Sequence, residues 1–136
     1  MTDAVQTVVS AAEYARMAET NTPTELIAGV IVVTPAPTPE HQQCSASLYR
    51  AVYPLIPNGR LYYAPIDVYF DESNVVQPDL VWVSEGGRCT VGAKWLEGPP
   101  DLIVEYQRHG VYVPGDTFES PVLAGRAVDV GAIFAP

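Results

Sequence analysis

Residues 61–84 read LYYAPIDVYFDESNVVQPDLVWVS, and this stretch decides the fold class. The runs 61–71 and 75–84 are rich in β-branched and aromatic residues, which favours two strands. The polar residues 71–74 between the runs predict a turn, so the two strands are expected to form a hairpin. Proline cannot donate a hydrogen bond to a sheet, and Pro78 therefore predicts either an edge strand or the beginning of the second strand.

Two helices are expected before this hairpin. Residues 10–13 (SAAE) match a capping box, which predicts a short helix ending near residue 19. Thr38 followed by Pro39 is typical of a helix start, with a capping hydroxyl and then a proline in the first turn. The apolar residues that follow recur at helical spacing, so 40–53 is predicted to be an amphipathic helix.

Further strands are expected on both sides of the hairpin. Residues 25–33 (ELIAGVIVV) suit a buried strand, in which Gly29 marks a bulge or the turn of a small hairpin. A short, buried strand is predicted over 101–106, and more short strands over 111–113 and 118–130. Together these elements predict an α+β fold with a mostly antiparallel sheet and one packed helix.

Length and composition indicate a single globular domain over 1–136, because 48% of the residues are hydrophobic and 17% are charged. No apolar run approaches the roughly 20 residues of a membrane-spanning helix. The first 20 residues lack the basic region of a secretory signal, so we expect a cytoplasmic protein with no membrane partner. In that compartment Cys44 and Cys89 are expected to be reduced thiols.

The charge balance argues against a nucleic-acid partner. Sixteen acidic residues against seven Lys and Arg give a net charge of −9, which repels a polyanion at long range. A protein that binds DNA mainly by neutralising phosphates needs the opposite sign. Any nucleic-acid function must therefore come from local chemistry.

Two carboxylates are the first candidates for such chemistry. Asp79 and Glu105 lie in apolar runs, where an ionised group is costly unless it has a partner. Side by side on neighbouring strands, they would form a site for a hard divalent cation such as Mg²⁺. An alternative stays open, in which Asp79 caps a turn and Glu105 forms a salt bridge or is exposed at the end of a strand.

Four stretches of the chain carry a family resemblance. They are 25–52 (ELIAGVIVVTPAPTPEHQQCSASLYRAV), 64–84 (APIDVYFDESNVVQPDLVWVS), 98–106 (GPPDLIVEY) and 110–134 (GVYVPGDTFESPVLAGRAVDVGAIF). In order and wording they resemble the Uma2 family (DUF820) of restriction-endonuclease-like proteins in the PD-(D/E)XK nuclease superfamily.

The resemblance implies a restriction-endonuclease-like fold, with a mixed, bent β-sheet flanked by helices. It implies a Mg²⁺-dependent endonuclease, with Mn²⁺ as a second metal, that hydrolyses phosphodiester bonds in DNA and forms a homodimer. Asp79 and Glu105 match the family's expected metal ligands. Glu25 and His41 match family positions near the site and are further catalytic candidates, although His41 is equally well explained as an exposed residue at a helix start.

The chain departs from the family pattern in two places. Ala28 and Val30 stand where the family usually has an acidic pair. After Tyr106 the family continues with a helix that carries a lysine and with two strands, but this chain passes directly to residue 107, and its single lysine, Lys94, precedes Glu105.

Two explanations of the second departure stay open. Either the protein lacks the segment, or the segment belongs to the full protein and is missing from these 136 residues. If the protein lacks it, a catalytically inactive, β-rich protein-interaction module of the same fold becomes the better interpretation.

Aromatic side chains are the last candidates. Tyr62, Tyr63, Tyr69 and Trp82 are suited to stacking on nucleic-acid bases. Aromatic residues that alternate along strands more often pack into a core or an interface, and this is the expected role of these four.

Overall fold

The computed structural model describes residues 7–17, 19 and 22–105, together with the backbone of 117–120 and 126–129. It contains the two helices expected from the sequence, α1 (Ala11–Ala15) and α2 (Pro39–Val52), and a 3₁₀ turn at Tyr53–Leu55 follows α2 directly. The prediction that the first helix continues to residue 19 is wrong. The helix ends at Ala15, and Met17 beyond it is 51% exposed, so this side chain adds little packing that would stabilise a further turn. Neither helix is long and apolar enough to cross a membrane.

The strands form three sheets. A six-stranded sheet has the order β2-β1-β5-β4-β8-β7, a three-stranded sheet has the order β3-β6-β9, and β10 pairs with β11. The strands are β1 (Thr24–Ile27), β2 (Val30–Val33), β3 (Arg60–Tyr63), β4 (Val68–Asp71), β5 (Asn74–Val76), β6 (Leu80–Val83), β7 (Thr90–Val91), β8 (Leu96–Glu97), β9 (Leu102–Val104), β10 (Thr117–Ser120) and β11 (Arg126–Asp129).

The central hairpin forms, but each of its predicted strands is broken in two. β4 pairs with β5 around the predicted turn, and β3 pairs with β6 further from it, in a different sheet. Pro65 interrupts the first arm and Pro78 the second, at nearly facing positions, because proline lacks the N–H that a continuous ladder needs. The prediction of two unbroken strands is therefore wrong, and the break bends the hairpin from one sheet into the other.

A two-residue turn joins β1 to β2, as the position of Gly29 suggested. Both turn residues have positive φ, 50° at Ala28 and 80° at Gly29, as in the type I′ turn that suits a tight hairpin. The side chain of Asn74 accepts a hydrogen bond of 2.8 Å from the Ala28 N–H. This contact ties the turn to the neighbouring strand β5.

Strand β6 lies in the middle of the core, and all four of its residues are buried. Leu80 and Trp82 pack with Leu48 of α2, whereas Val81 and Val83 pack on the opposite face with residues of β4 and β8. This two-sided burial explains why LVWV is continuously apolar. It also gives Asp79, the residue before β6, a firmly fixed backbone.

Two short strands, β7 and β8, lie between the glycines at 86–87 and Gly98. Strand β8 runs parallel to β4, which makes the larger sheet mixed. The strand predicted over 101–106 forms as β9, which pairs antiparallel with β6. It is less buried than expected, because Ile103 is 37% exposed at this edge of the sheet. Of the strands predicted beyond residue 106, 111–113 lies outside the described residues, and the described parts of 118–130 belong to the antiparallel pair β10 and β11.

Candidate active site

Asp79 and Glu105 lie at the same end of two neighbouring strands. Leu80 of β6 pairs with Val104 of β9, Asp79 comes immediately before Leu80, and Glu105 comes immediately after Val104. In an antiparallel pair the next facing positions are therefore those of the two acids. Within the described residues no ion pair involves Glu105. Glu105 is instead exposed immediately after the end of β9, as one form of the alternative interpretation expected.

The carboxyl group of Glu105 has a raised pKa. Partial desolvation of the carboxyl group is the largest cause, although the residue as a whole is exposed, and the negative charges of Glu25 and Asp79 follow. These three carboxylates come from separate parts of the chain, and all of them line the same cleft. Crowded carboxylates favour either a bound proton or a bound cation.

His41 contacts Asp79. The Nε2 atom of His41 lies 3.2 Å from Oδ1 of Asp79, and the two side chains are 30% and 14% exposed. The N-terminal turn of α2 holds the histidine in place, because the Thr38 hydroxyl accepts a hydrogen bond of 3.2 Å from the His41 backbone N–H. The structure thus brings His41 to the carboxylates, and the reading of it as merely a solvated helix-start residue is wrong.

Glu25 is oriented by a residue to which the sequence analysis gave no role. The backbone N–H of Gln77 donates a 2.7 Å hydrogen bond to Oε1 of Glu25, and the Gln77 side chain donates one of 2.7 Å to Oδ1 of Asp67. Gln77 therefore links β1 to the segment before β4 and fixes the direction of the Glu25 carboxylate. In the sequence, the position of Gln77 next to the Pro78-Asp79 dipeptide is the feature that could have indicated this role.

The four candidate residues line one open cleft. Its volume is about 1130 Å³, and it lies between one side of α2, the segment between β2 and α2, the end of β3 and the start of β6. Glu25, His41, Asp79 and Glu105 all belong to its wall. Other residues in the wall are Thr38, Ser45, Tyr49, Arg50, Tyr63 and Gln77. The cleft therefore combines an acidic end with an aromatic and basic flank.

The donor set fits a hard divalent cation. Mg²⁺ is commonly held by one or two carboxylates and completes its shell with water, and Asp79 and Glu105 supply such a pair. Among the described residues no cluster of three or more His, Cys, Asp or Glu has the arrangement of a preformed metal centre. A cation bound here would therefore keep several water ligands.

No lysine in the described part of the chain lines the cleft. Lys94 is exposed in the turn between β7 and β8, at the edge of the six-stranded sheet. The basic residue in the cleft wall is Arg50 of α2, whose Nη2 donates a 3.1 Å hydrogen bond to the buried Ser47 hydroxyl. The lysine of the nuclease motif thus has no counterpart among the described residues of the site.

The aromatic candidates divide into two groups. Trp82 is buried and Tyr62 and Tyr69 are half-buried, which agrees with the expected packing role. Tyr63 is 66% exposed and lies in the wall of the cleft. Tyr63 is therefore not a core residue, because it ends β3 at the point where the hairpin bends, and the expectation of an interface role for it stays a prediction.

The fold and the cleft define a restriction-endonuclease-like α+β domain, with a mixed sheet, a helix packed on it and carboxylates at the ends of neighbouring strands. The chain belongs to the Uma2 family, whose model, described as "Putative restriction endonuclease", matches residues 11–107. This match includes Glu25, His41, Asp79 and Glu105, and it ends before the tail 110–134.

A solved structure supports the fold. The crystal structure of a "putative nuclease belonging to DUF820" from Anabaena variabilis ATCC 29413 is similar with a TM-score of 0.53 and 18% sequence identity. The similarity covers 71% of this chain and 57% of that one, so this chain spans little more than half of its relative's length. None of the curated proteins matches the chain.

Proposed function

We propose that this protein is a Mg²⁺-dependent endonuclease that hydrolyses phosphodiester bonds in DNA, with Mn²⁺ as an alternative metal. The observation that carries the proposal is that Glu25, Asp79 and Glu105 line one cleft. The pKa of Glu105 is raised there by desolvation and by the charges of the other two carboxylates. Membership in the Uma2 family gives the nuclease class.

Asp79 and Glu105 would hold the metal ion. A divalent cation bound there supplies charge neutralisation at the scissile phosphate and makes a water molecule more acidic. His41 holds the Asp79 carboxylate in one orientation through its 3.2 Å contact. Gln77 does the same for Glu25.

Proton transfer from the attacking water falls to Glu25 or His41 in this proposal, because no lysine of the described chain lines the cleft. A carboxylate or an imidazole within reach of the water is a suitable general base. Arg50 offers a local positive charge for a phosphate, which partly offsets the net charge of −9. A homodimer would present one cleft to each strand of a duplex.

Cleavage of supercoiled plasmid DNA with Mg²⁺ or Mn²⁺ tests the proposal. Activity is expected to fall to background in Asp79→Asn and in Glu105→Gln. In His41→Gln it is expected to fall by about 10- to 100-fold, because that side chain orients a metal ligand. Glu72→Gln is the matched control, since Glu72 is an exposed glutamate outside this cleft. If Asp79→Asn and Glu105→Gln both cut like the wild type, the site assignment is wrong.

A second candidate is the catalytically inactive protein-interaction module of the same fold. The absence of a lysine from the described part of the cleft favours it. Purified wild-type protein that cuts neither duplex nor single-stranded DNA with either metal would support this candidate. The mass of the protein isolated from its native cells is a further test. A mass of 14.7 kDa corresponds to 136 residues without the segment expected after Tyr106, and a larger mass would restore the expectation of a lysine.

A further inference from the structure

We propose that an exposed tyrosine surface beside the carboxylate cleft stacks with unpaired bases, so that the substrate is single-stranded or locally unpaired DNA. The tyrosine surface consists of Tyr49, Tyr53 and Tyr63. The inference rests on the proposed nuclease function, which makes DNA the ligand. It adds that the site selects unpaired DNA over duplex DNA.

The three rings are held together by the fold. Tyr49 and Tyr53 lie one turn apart at the C-terminal end of α2, and their rings stack with centroids 5.7 Å apart and an interplanar angle of 23°. Tyr63, at the end of β3, contacts Tyr49 edge-on at 5.5 Å and 89°. The Tyr49 hydroxyl donates a 3.4 Å hydrogen bond to the backbone carbonyl of Leu61, which anchors the central ring to the sheet.

Two of these rings are exposed to solvent. Tyr53 is 57% exposed and Tyr63 is 66% exposed, whereas Trp82, one strand away from Tyr63, is only 5% exposed. Single exposed apolar residues are ordinary on protein surfaces, but clustered exposed aromatics usually mark a binding surface. Contacts among the described residues hold the rings together but leave Tyr53 and Tyr63 open to solvent, as in a binding surface.

The surface joins the acidic cleft to a second, shallower one. Tyr49 belongs to the walls of both, and the second cleft has a volume of about 750 Å³. Arg50 lies in the wall of the first and Arg60 in the wall of the second, and neither is paired with a carboxylate within the described residues. A strand lying across the tyrosines would thus find a cation for its phosphates on either side and the carboxylates at one end.

Unpaired DNA suits this surface better than duplex DNA. In a duplex the faces of the bases are covered by their neighbours, and the accessible groups are mainly phosphates. A chain with a net charge of −9 gains little from phosphates alone. Stacking of a base on an aromatic ring contributes about 1–3 kcal/mol that does not come from phosphate charge. The stacking surface therefore partly offsets the electrostatic repulsion that the composition implies, and Arg50 and Arg60 supply the local positive charge that single-strand sites also use.

Fluorescence anisotropy with the full chain tests the inference. A labelled strand of about 12 nucleotides, within the usual length of a single-strand site, is compared with the same strand annealed to its complement. EDTA is present, so that binding does not depend on cleavage. The single strand is expected to bind at least about 5-fold more tightly, which corresponds to stacking of one base.

Variants separate the aromatic face from simple apolar contact. Tyr63→Leu and Tyr53→Leu are each expected to weaken single-strand binding by about 5- to 150-fold, because leucine has no flat ring for a base. Tyr63→Phe keeps the ring and is expected to bind like the wild type. Phe70→Leu is the matched control, because Phe70 is an aromatic residue of β4 that is 42% exposed and lies outside both clefts.

The outcomes distinguish this inference from the proposed function. If the wild-type protein binds the duplex as tightly as the single strand, or more tightly, the inference is overturned and no variant is needed. It is also overturned if Tyr63→Leu and Tyr53→Leu bind like the wild type, or if they change only the oligomeric state in size-exclusion chromatography, which would mark a protein interface. If the protein prefers the single strand but cleaves no DNA, the stacking surface is supported and the proposed nuclease function is refuted. If it cleaves plasmid DNA but does not prefer the single strand, the nuclease function is supported and the stacking surface is refuted.

Discussion

Replacement of Glu105 by glutamine measures the repulsion among the three cleft carboxylates. Burial and the charges of Glu25 and Asp79 raise the pKa of Glu105, so its ionised form destabilises the folded state near neutral pH. Glutamine has nearly the same size and no charge. We therefore expect Glu105→Gln to unfold at a higher temperature than the wild type in metal-free buffer.

The expected increase in folding stability is small because Glu105 is largely open to solvent. Charge interactions of exposed pairs amount to at most about 1 kcal/mol each, so the total is on the order of 1 kcal/mol. For a domain of this size that corresponds to a rise in Tm of roughly 2–5 °C. A larger gain would indicate that the carboxylates are more deeply desolvated than their exposure shows.

The increase in stability of Glu105→Gln over the wild type should also depend on pH. Since the folded-state pKa of Glu105 lies above its unfolded value, ionisation costs the wild type stability as pH rises through that interval. Below about pH 4 the group is protonated in both states, and the Glu105 contribution to the difference between variant and wild type should vanish. Above the folded-state pKa the difference should be fully developed.

Thermal unfolding from about pH 4 to pH 8, with and without Mg²⁺, is the assay. Mg²⁺ should raise the Tm of the wild type by binding the folded state, and it should raise that of Glu105→Gln less, because one ligand is lost. Glu85→Gln, an exposed glutamate outside the cleft, should leave both quantities unchanged. The reasoning is refuted if Glu105→Gln melts below the wild type at neutral pH without metal, or if Glu85→Gln gains as much.

Three further predictions concern the fold. Leu80→Ala should lower the free energy of unfolding by about 2–5 kcal/mol in urea titrations, because Leu80 is fully buried between α2 and the sheet; a loss below that of the partly exposed Ile103→Ala would contradict this packing. Ala28→Asn should raise the same free energy by about 1 kcal/mol, because asparagine tolerates the positive φ at this position better than alanine; no change would argue against the tight turn. Cys89 should react with a thiol reagent at pH 8 more than about 10-fold more slowly in the native chain than in the urea-unfolded chain, because burial raises the pKa of the thiol and excludes the reagent. Peptide mapping of the labelled protein would measure both rates, and equal rates would show that Cys89 is accessible in the native protein.

Part of the fold followed from the sequence because its causes are local. Thr38 and Pro39 begin α2 as predicted, with the threonine hydroxyl bonded to the N–H three residues later. Gly29 completes the predicted turn between β1 and β2. The hairpin over 61–84 also forms, yet its bend escaped prediction. Pro78 marked one side of the bend, but which sheet each half-strand joins depends on pairing with β1 and β8, which no local pattern encodes.

The same division holds for the candidate site. Asp79 and Glu105 were found from their setting in apolar strands and from the resemblance to the Uma2 family. The geometry that orients the other members was not accessible in the same way. Gln77 binds Glu25 across 52 positions of the chain, and this contact exists only because β5 lies beside β1.

By itself, then, the sequence determined the family, the α+β class and the residues whose type suits a metal site. Tertiary structure alone decided which of those residues meet. It brought His41 to Asp79 and Glu25 to Gln77, and it left Tyr63 exposed beside the cleft while it buried Trp82. The physical reason is that caps, turns and alternation depend on neighbours in the chain. Burial and long-range contact depend on how strands pair and on which face of the sheet the helix covers.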